Sequence, residues 1–138
     1  MELKFLSLNV RGLNKTTKRR QLFRWLHQQT SDVIFLQETY SSAQTVKLWE
    51  AEWGGKMLAC HGSTHSCGVM ILFKPKINVS IGNVIQDKNG RYIVSEATID
   101  GVKSILVNIY APNDQMQQIK FLRDLSNSVL NGYANETW

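Results

Sequence analysis

The dipeptide Asp100-Gly101 constrains this chain more than any other feature. It separates residues 92–99 from residues 102–110, two runs rich in β-branched side chains. A two-residue loop between antiparallel strands needs positive φ at its central positions, which Asp and Gly tolerate, and its twist matches that of the strands it joins. The spacing therefore predicts a hairpin, and with it a sheet against which the rest of the chain must pack.

The remaining elements follow from periodicity. Leu3, Phe5, Leu6, Leu8 and Val10 suit a strand over 3–10 that Gly12 breaks. Asn14, Thr16 or Thr17 can cap a helix running to about residue 29. Leu22, Trp25 and Leu26 line its expected buried stripe, with Lys18, Arg19 and Arg24 mostly off it. Val33-Ile34-Phe35-Leu36 is a short continuous apolar run, typical of a strand buried on both faces, and Gln37 and Glu38 stand at its end. A helix is expected over 42–53, carrying Val46, Trp49 and Trp53 and closed by Gly54-Gly55. Strands are expected over 57–60, 68–73 and 79–85, with a turn at Asp87-Lys88-Asn89-Gly90. After the hairpin, Ala111-Pro112-Asn113 forms a loop. A helix from 114 to about 130 then carries Met116, Ile119, Leu122, Leu125 and Val129 on one face. Strand–helix–strand followed by antiparallel hairpins gives a mixed α/β protein.

The 138 residues suffice for one domain, or one piece of one, and show no repeat or low-complexity linker. At 43% hydrophobic and 20% charged the chain reads as globular, not disordered. No apolar run approaches the roughly 18 residues of a membrane span, so no membrane partner is expected. The first ten residues read as a strand and not as a secretion signal, so an intracellular location, nuclear or cytoplasmic, is expected. Cys60 and Cys67 are then free thiols. Cys60, His61, His65 and Cys67 do not match the usual spacing of zinc ligands and read as small apolar residues and loop histidines.

Charge is unevenly spread. The net charge is +5, and no acidic residue lies between Glu2 and Asp32, whereas Arg11, Lys15, Lys18, Arg19, Arg20 and Arg24 all do. Such a local positive field suits a polyanion such as nucleic acid, in a salt-sensitive manner, while a solvated helix face is the ordinary alternative.

Three motifs end strands, where sheet enzymes place polar residues: Asn9-Val10-Arg11-Gly12, Gln37-Glu38-Thr39 and Tyr110-Ala111-Pro112-Asn113. Taken singly, each also describes a cap or a turn. Glu38 sits at the rim of the core, so its carboxylate must be solvated, paired or metal-bound. Mg²⁺ often needs only one or two protein carboxylates, with water and substrate phosphate completing its shell. Tyr110 and Asn113 carry donors that suit a phosphate.

The order of these motifs resembles the exonuclease–endonuclease–phosphatase family. The resemblance runs from Asn-Val-Arg-Gly after the first strand through a basic helix and a buried strand ending Gln-Glu. It continues through Gly-Val-Met-Ile-Leu to Asn108-Ile109-Tyr110-Ala111-Pro112-Asn113, covering about residues 3–125. It is most similar to the apurinic-site-like endonucleases of non-LTR retrotransposons. The resemblance implies a four-layered α/β sandwich with mixed sheets, of which residues 1–138 are the N-terminal portion, with the C-terminal half missing. It implies phosphodiester hydrolysis with Mg²⁺, or Mn²⁺, on DNA, in a retroelement protein that carries a reverse transcriptase downstream. By the same resemblance Asn9, Glu38 and Tyr110 are catalytic residues and Glu38 is the metal ligand. Asn113 contacts phosphate and Gly68 serves backbone packing by that resemblance, while the uneven charge is what marks Arg11, Lys15, Lys18 and Arg19 as candidates for contact with phosphate or nucleic acid.

Two departures limit the expectation. Arg11 stands where some family nucleases have an acidic residue, and the family's later Gly-Asp-Phe-Asn and Ser-Asp-His motifs do not occur. His27, His61 and His65 match no family position. The chain by itself is therefore expected to lack a base and to show negligible nuclease activity. It is also expected to expose one apolar sheet face unless it dimerises or meets the missing half. A non-catalytic nucleic-acid-binding module, or a phosphatase or lipid phosphodiesterase of the same fold, are the competing readings.

Overall fold

A computed structural model of the chain describes residues 2–133. Strand β1 (Phe5–Asn9) leads through helix α1 (Thr16–Gln28) to β2 (Val33–Gln37), and α2 (Val46–Trp53) to β3 (Met57–Cys60) and β4 (Val69–Phe73). The antiparallel strands β5 (Val79–Gln86), β6 (Tyr92–Ile99) and β7 (Val102–Ile109) follow, then α3 (Gln115–Ser128) and a 3-10 turn at Leu130–Gly132. The first sheet has the order β1-β2-β4-β3, with β1 and β2 parallel and the other pairs antiparallel; the second has the order β5-β6-β7. Asp100-Gly101 closes the β6–β7 hairpin as its sequence dictates, both residues at positive φ.

Burial sorts the chain into four layers. Phe23 and Leu26 of α1 and Trp49 and Trp53 of α2 pack on Ile34, Leu36, Met70 and Leu72 of the first sheet. Alternate residues of the same strands, Val33, Val69, Ile71 and Phe73, face Ile93, Ala97, Ile99 and Leu106 of the second sheet. Leu125 and Val129 cover Val94 and its neighbours on the outer side. All five residues of β4 are buried because it lies between helices and the other sheet, which is why its sequence is apolar without alternation. This helix–sheet–sheet–helix order is the expected four-layered α/β sandwich, in which the first sheet is mixed and the second, over its three described strands, is antiparallel.

Local differences from the sequence reading have physical causes. Helix α2 starts at Val46, since Ser42 and Thr45 first form a hydroxyl-stabilised turn in which Thr45 Oγ1 accepts from Ser42 N. The inward stripe of α1 is Arg19, Phe23 and Leu26, and Trp25 is exposed. The neighbouring α2 sets that orientation: Phe23 meets Trp53 edge to face, and the Arg19 guanidinium lies over the Trp49 ring. On α3 only the C-terminal end of the expected stripe is covered. Leu125 and Val129 are buried, while Met116, Ile119 and Leu122 are exposed, Met116 at 79%. No whole sheet face is bare among the described residues, because the two sheets cover each other. Among the described residues, exposed large apolar side chains are confined to Phe5, Trp25, Leu48, Val102 and the α3 stripe. No helix among the described residues is long and apolar enough to cross a membrane.

Candidate active site

Asn9 and Gln37 are register partners, so the parallel strands β1 and β2 end side by side, and β4 begins opposite Gln37. Beyond these ends the backbones stay joined. Val10 N donates to Gln37 O, Gly12 N to Glu38 O, Leu13 N to Thr39 O, Thr39 N to Gly68 O and Tyr40 N to Cys67 O. These bonds hold Arg11 (φ 50°), Glu38 (φ 56°), Tyr40 (φ 57°) and Cys67 (φ 62°) in the left-handed region. L-residues there carry strain on the order of 1–3 kcal/mol each, and such residues cluster at functional sites. Gly68 closes the arrangement: its φ is +91°, and a Cβ would lie 2.4 Å from Thr39 Oγ1.

The second sheet brings Tyr110 to the same rim. Residues Leu106, Asn108 and Tyr110 alternate onto the face of β7 that meets the first sheet. Tyr110 Oη donates to Glu38 Oε1 at 2.5 Å. The carboxylate pushes the phenol up to about 12, with burial adding to the effect, so the hydroxyl stays a donor across the neutral range. Arg91 supports Tyr110 from behind. Its guanidinium lies 5.3 Å from the ring centroid, and Nη1 donates to the Tyr110 carbonyl. Two of the three expected catalytic residues, Glu38 and Tyr110, are thus in direct contact. Asn9 stands beside them on β1, exposed, with Oδ1 accepting from Arg11 N at 3.2 Å. Asn113 is exposed just before Asp114, which caps α3 by accepting from Gln117 N.

The basic residues divide. Arg11 and Lys15 are exposed at the rim end. Lys18 Nζ donates to the carbonyls of Val10 (2.6 Å) and Arg11 (3.2 Å), so it fastens α1 to the loop behind Asn9. Arg19, expected on the nucleic-acid surface, is buried instead. It grips Glu52 through Nε (2.7 Å) and Nη2 (3.2 Å) and donates through Nη1 to the carbonyls of Leu13 and Asn14. These hydrogen bonds hold the Glu52 carboxyl below its usual range against the opposing effect of burial. A guanidinium so occupied braces the loop and leaves phosphate contact to its neighbours.

For a metal ion the rim provides one carboxylate. Glu38 is half-buried, and its second oxygen makes no hydrogen bond among the described residues. No group of three His, Cys, Asp or Glu side chains suited to an ion occurs among them. That donor set fits Mg²⁺ or Mn²⁺ completed by water and phosphate oxygens, and does not fit an ion enclosed by protein ligands. Cys60 is otherwise engaged: its buried thiol donates to Asp87 O, and burial pushes it up to about 11. His61 Nδ1 pairs with the buried Ser41 hydroxyl.

Three residues at the site carried little signal alone. Gln37 and Asn108 show in the sequence only as letters of two motifs, one residue before Glu38 and two before Tyr110. Arg91 follows a turn and gives no sequence hint of its contact with Tyr110.

The sequence profile of the Endonuclease/Exonuclease/phosphatase family matches residues 6–135. The Transposon TX1 uncharacterized 149 kDa protein of Xenopus laevis is 29% identical over 126 residues, covering 91% of this chain and 10% of that protein. Among solved structures, D. rerio TDP2 complexed with a single-strand DNA product superposes with a TM-score of 0.65 at 24% identity, over 93% of this chain and 54% of that one. An AP endonuclease from Archaeoglobus fulgidus gives 0.65 at 20% identity, over 94% and 52%. The likeness to the solved structures is one of fold. The chain spans about half the length of each and about a tenth of the transposon protein.

Proposed function

Because the chain belongs to the Endonuclease/Exonuclease/phosphatase family, we propose that its rim is the metal- and phosphate-binding side of a DNA-cleaving phosphodiesterase of a retroelement protein. The observation that carries this reading is the contact of Glu38 with Tyr110 across the two sheets, beside Asn9 and the exposed Arg11 and Lys15. Glu38 would hold Mg²⁺, or Mn²⁺, through its free oxygen. When bound, that ion supplies Lewis-acid stabilisation of charge on the phosphate oxygens. Tyr110, kept protonated, gives its one O–H proton to Glu38 Oε1 and so orients the carboxylate beside the phosphate, to which Asn9 and Asn113 offer amide donors. Arg11, Lys15 and Lys18 steer the DNA backbone. The likeness to a transposon protein supports the retroelement setting, with a reverse transcriptase as a downstream partner. A general base is to come from a partner segment, the other half of the domain, to which the edge strands β1 and β7, among the four sheet edges, and the exposed α3 stripe offer surfaces.

The test is nicking of supercoiled plasmid by this chain alone and by the longer protein read from the encoding transcript. We expect Mg²⁺-dependent nicking only by the longer protein. Glu38→Ala should lower it on the order of 10²-fold or more, the loss typical of removing an electrostatic group aimed at the transition state. Nicking that survives Glu38→Ala would sink the reading. The single carboxylate favours one alternative, nucleic-acid binding without catalysis. Salt-sensitive DNA binding by the longer protein, indifferent to EDTA and to Glu38→Ala, would establish that instead. Preference for small phosphoesters over DNA would point to a phosphatase or lipid phosphodiesterase.

A further inference from the structure

Glu38 and Tyr110 come from different sheets, and the ladder of neither sheet fixes the distance between them. A polar connection buried one step behind the pair does. Asn108 is 2% exposed and lies between the sheets among apolar side chains. Its Nδ2 donates to the carbonyls of Leu36 (3.0 Å) and Met70 (2.7 Å), which are register partners on β2 and β4. Its Oδ1 accepts from Gln37 Nε2 at 2.9 Å, and Gln37 Nε2 also donates to Ser7 Oγ on β1. The partners dictate the orientation of the amide: two carbonyls require its NH₂, and a donor requires its oxygen.

We propose that Asn108 and Gln37 are positioning residues, whose joined side-chain amides lock the end of β2 to the end of β7 and so set the approach of Tyr110 to Glu38. Leu36 and Gln37 directly precede Glu38, and Asn108 precedes Tyr110 by one pleat repeat, roughly 6.4–6.8 Å along the strand. Each locked residue thus ties the two sheets together through its side chain within two residues of the group it serves. An apolar residue of the same size would satisfy burial at position 108 without desolvating an amide, whose three bonds all cross to the first sheet. A site that must hold its groups to about 0.5 Å needs such a support, since misplacement by about 1 Å can cost 10²-fold in rate. The inference rests on the proposed reading only in taking the Glu38–Tyr110 pair as the functional one.

The test reads geometry and not catalysis. With tyrosine labelled at ¹³Cζ, and the Tyr110 resonance assigned through Tyr110→Phe, Glu38→Gln moves that resonance because a neutral amide replaces the carboxylate acceptor. In Asn108→Leu and in Gln37→Met backgrounds the same Glu38→Gln change is expected to move it about twofold less or smaller still, the signature of coupled residues in a double-mutant cycle. Gln37→Met keeps the length of the side chain and leaves Asn108 bonded to both carbonyls, so it decides the matter if Asn108→Leu does not fold. A full Glu38→Gln response in the folded variants, even with lowered thermal stability, would assign the amides a structural role only and overturn the proposal. If nicking survives Glu38→Ala while the resonance response collapses, the catalytic reading fails and the positioning role stands.

Discussion

Both ends of the sandwich use left-handed backbone, for different reasons. At the hairpin end Asp100 (φ 48°) and Gly101 (φ 86°) adopt it to close a two-residue turn, and a Cβ added at Gly101 would meet nothing within 4 Å. At the rim end Arg11, Glu38, Tyr40 and Cys67 adopt it because backbone bonds to segments distant in sequence hold them there. The first is local chemistry that needs only its own residues. The second is imposed by tertiary structure, and its strain must be offset by packing elsewhere. The layer behind the rim provides that offset: Trp49 and Trp53 are fully buried, and Arg19 ties Glu52 to the loop after Gly12.

The comparison breaks most visibly if that brace is cut. Glu52→Ala leaves the Arg19 guanidinium buried without its carboxylate, a change that costs about 3–5 kcal/mol. It should also free the loop carrying Leu13 and Asn14. Arg20, the other partner of Glu52, has a side chain 68% exposed, and Arg20→Ala should cost no more than about 1 kcal/mol. Urea denaturation of both variants measures the difference, and equal costs would show that the rim does not lean on Arg19.

Glycine substitution sharpens the contrast. Gly68 and Gly101 have nearly the same φ, +91° and +86°. Alanine at either carries the left-handed penalty of roughly 1–2 kcal/mol. At Gly101 that is the whole cost. At Gly68 the new methyl meets the hydroxyl of Thr39, a residue with no exposed surface, and overpacking adds about 1–3 kcal/mol. Gly68→Ala should therefore be the more destabilising by about that amount in thermal or denaturant unfolding. Equal melting shifts would mean that the rim yields more readily than its bonds suggest.

The same contrast explains what was legible in the sequence. Asp100-Gly101, the continuous apolar run 33–36 and the helix that starts at about residue 114 announce themselves because period and turn chemistry act over a few residues. The motif order was also enough to expect Glu38 and Tyr110 at one site. What could not be read were features decided by a neighbour far along the chain. Trp25 points to solvent because α2 claims the other side of α1. Arg19 is buried because Glu52 waits 33 residues away. Asn108 and Gln37 meet across 71 residues, and neither letter alone distinguishes a buried strut from a turn residue.

The smallest expected effect is also the most specific to the rim. The hydrogen bond to the Glu38 carboxylate, with burial adding to it, pushes the Tyr110 phenol from its ordinary value of 10 up to about 12. A folded-state value raised in this way favours the protonated form. Its contribution to stability is full below pH 10 and is lost as the pH rises through 12. Subtracting Tyr110→Phe from wild type removes the contribution of every other group that titrates in this range, Cys60 included. The difference in unfolding free energy should be flat, on the order of 1.5–3 kcal/mol, up to about pH 10 and should fall toward zero by about pH 12. The hairpin end has no such pair, so Val102→Ala, exposed there, should give a difference with no slope over the same window. A flat Tyr110→Phe difference across the whole window would mean that the phenol and the carboxylate do not hold each other in solution, and the site would then lose the contact between its two central side chains.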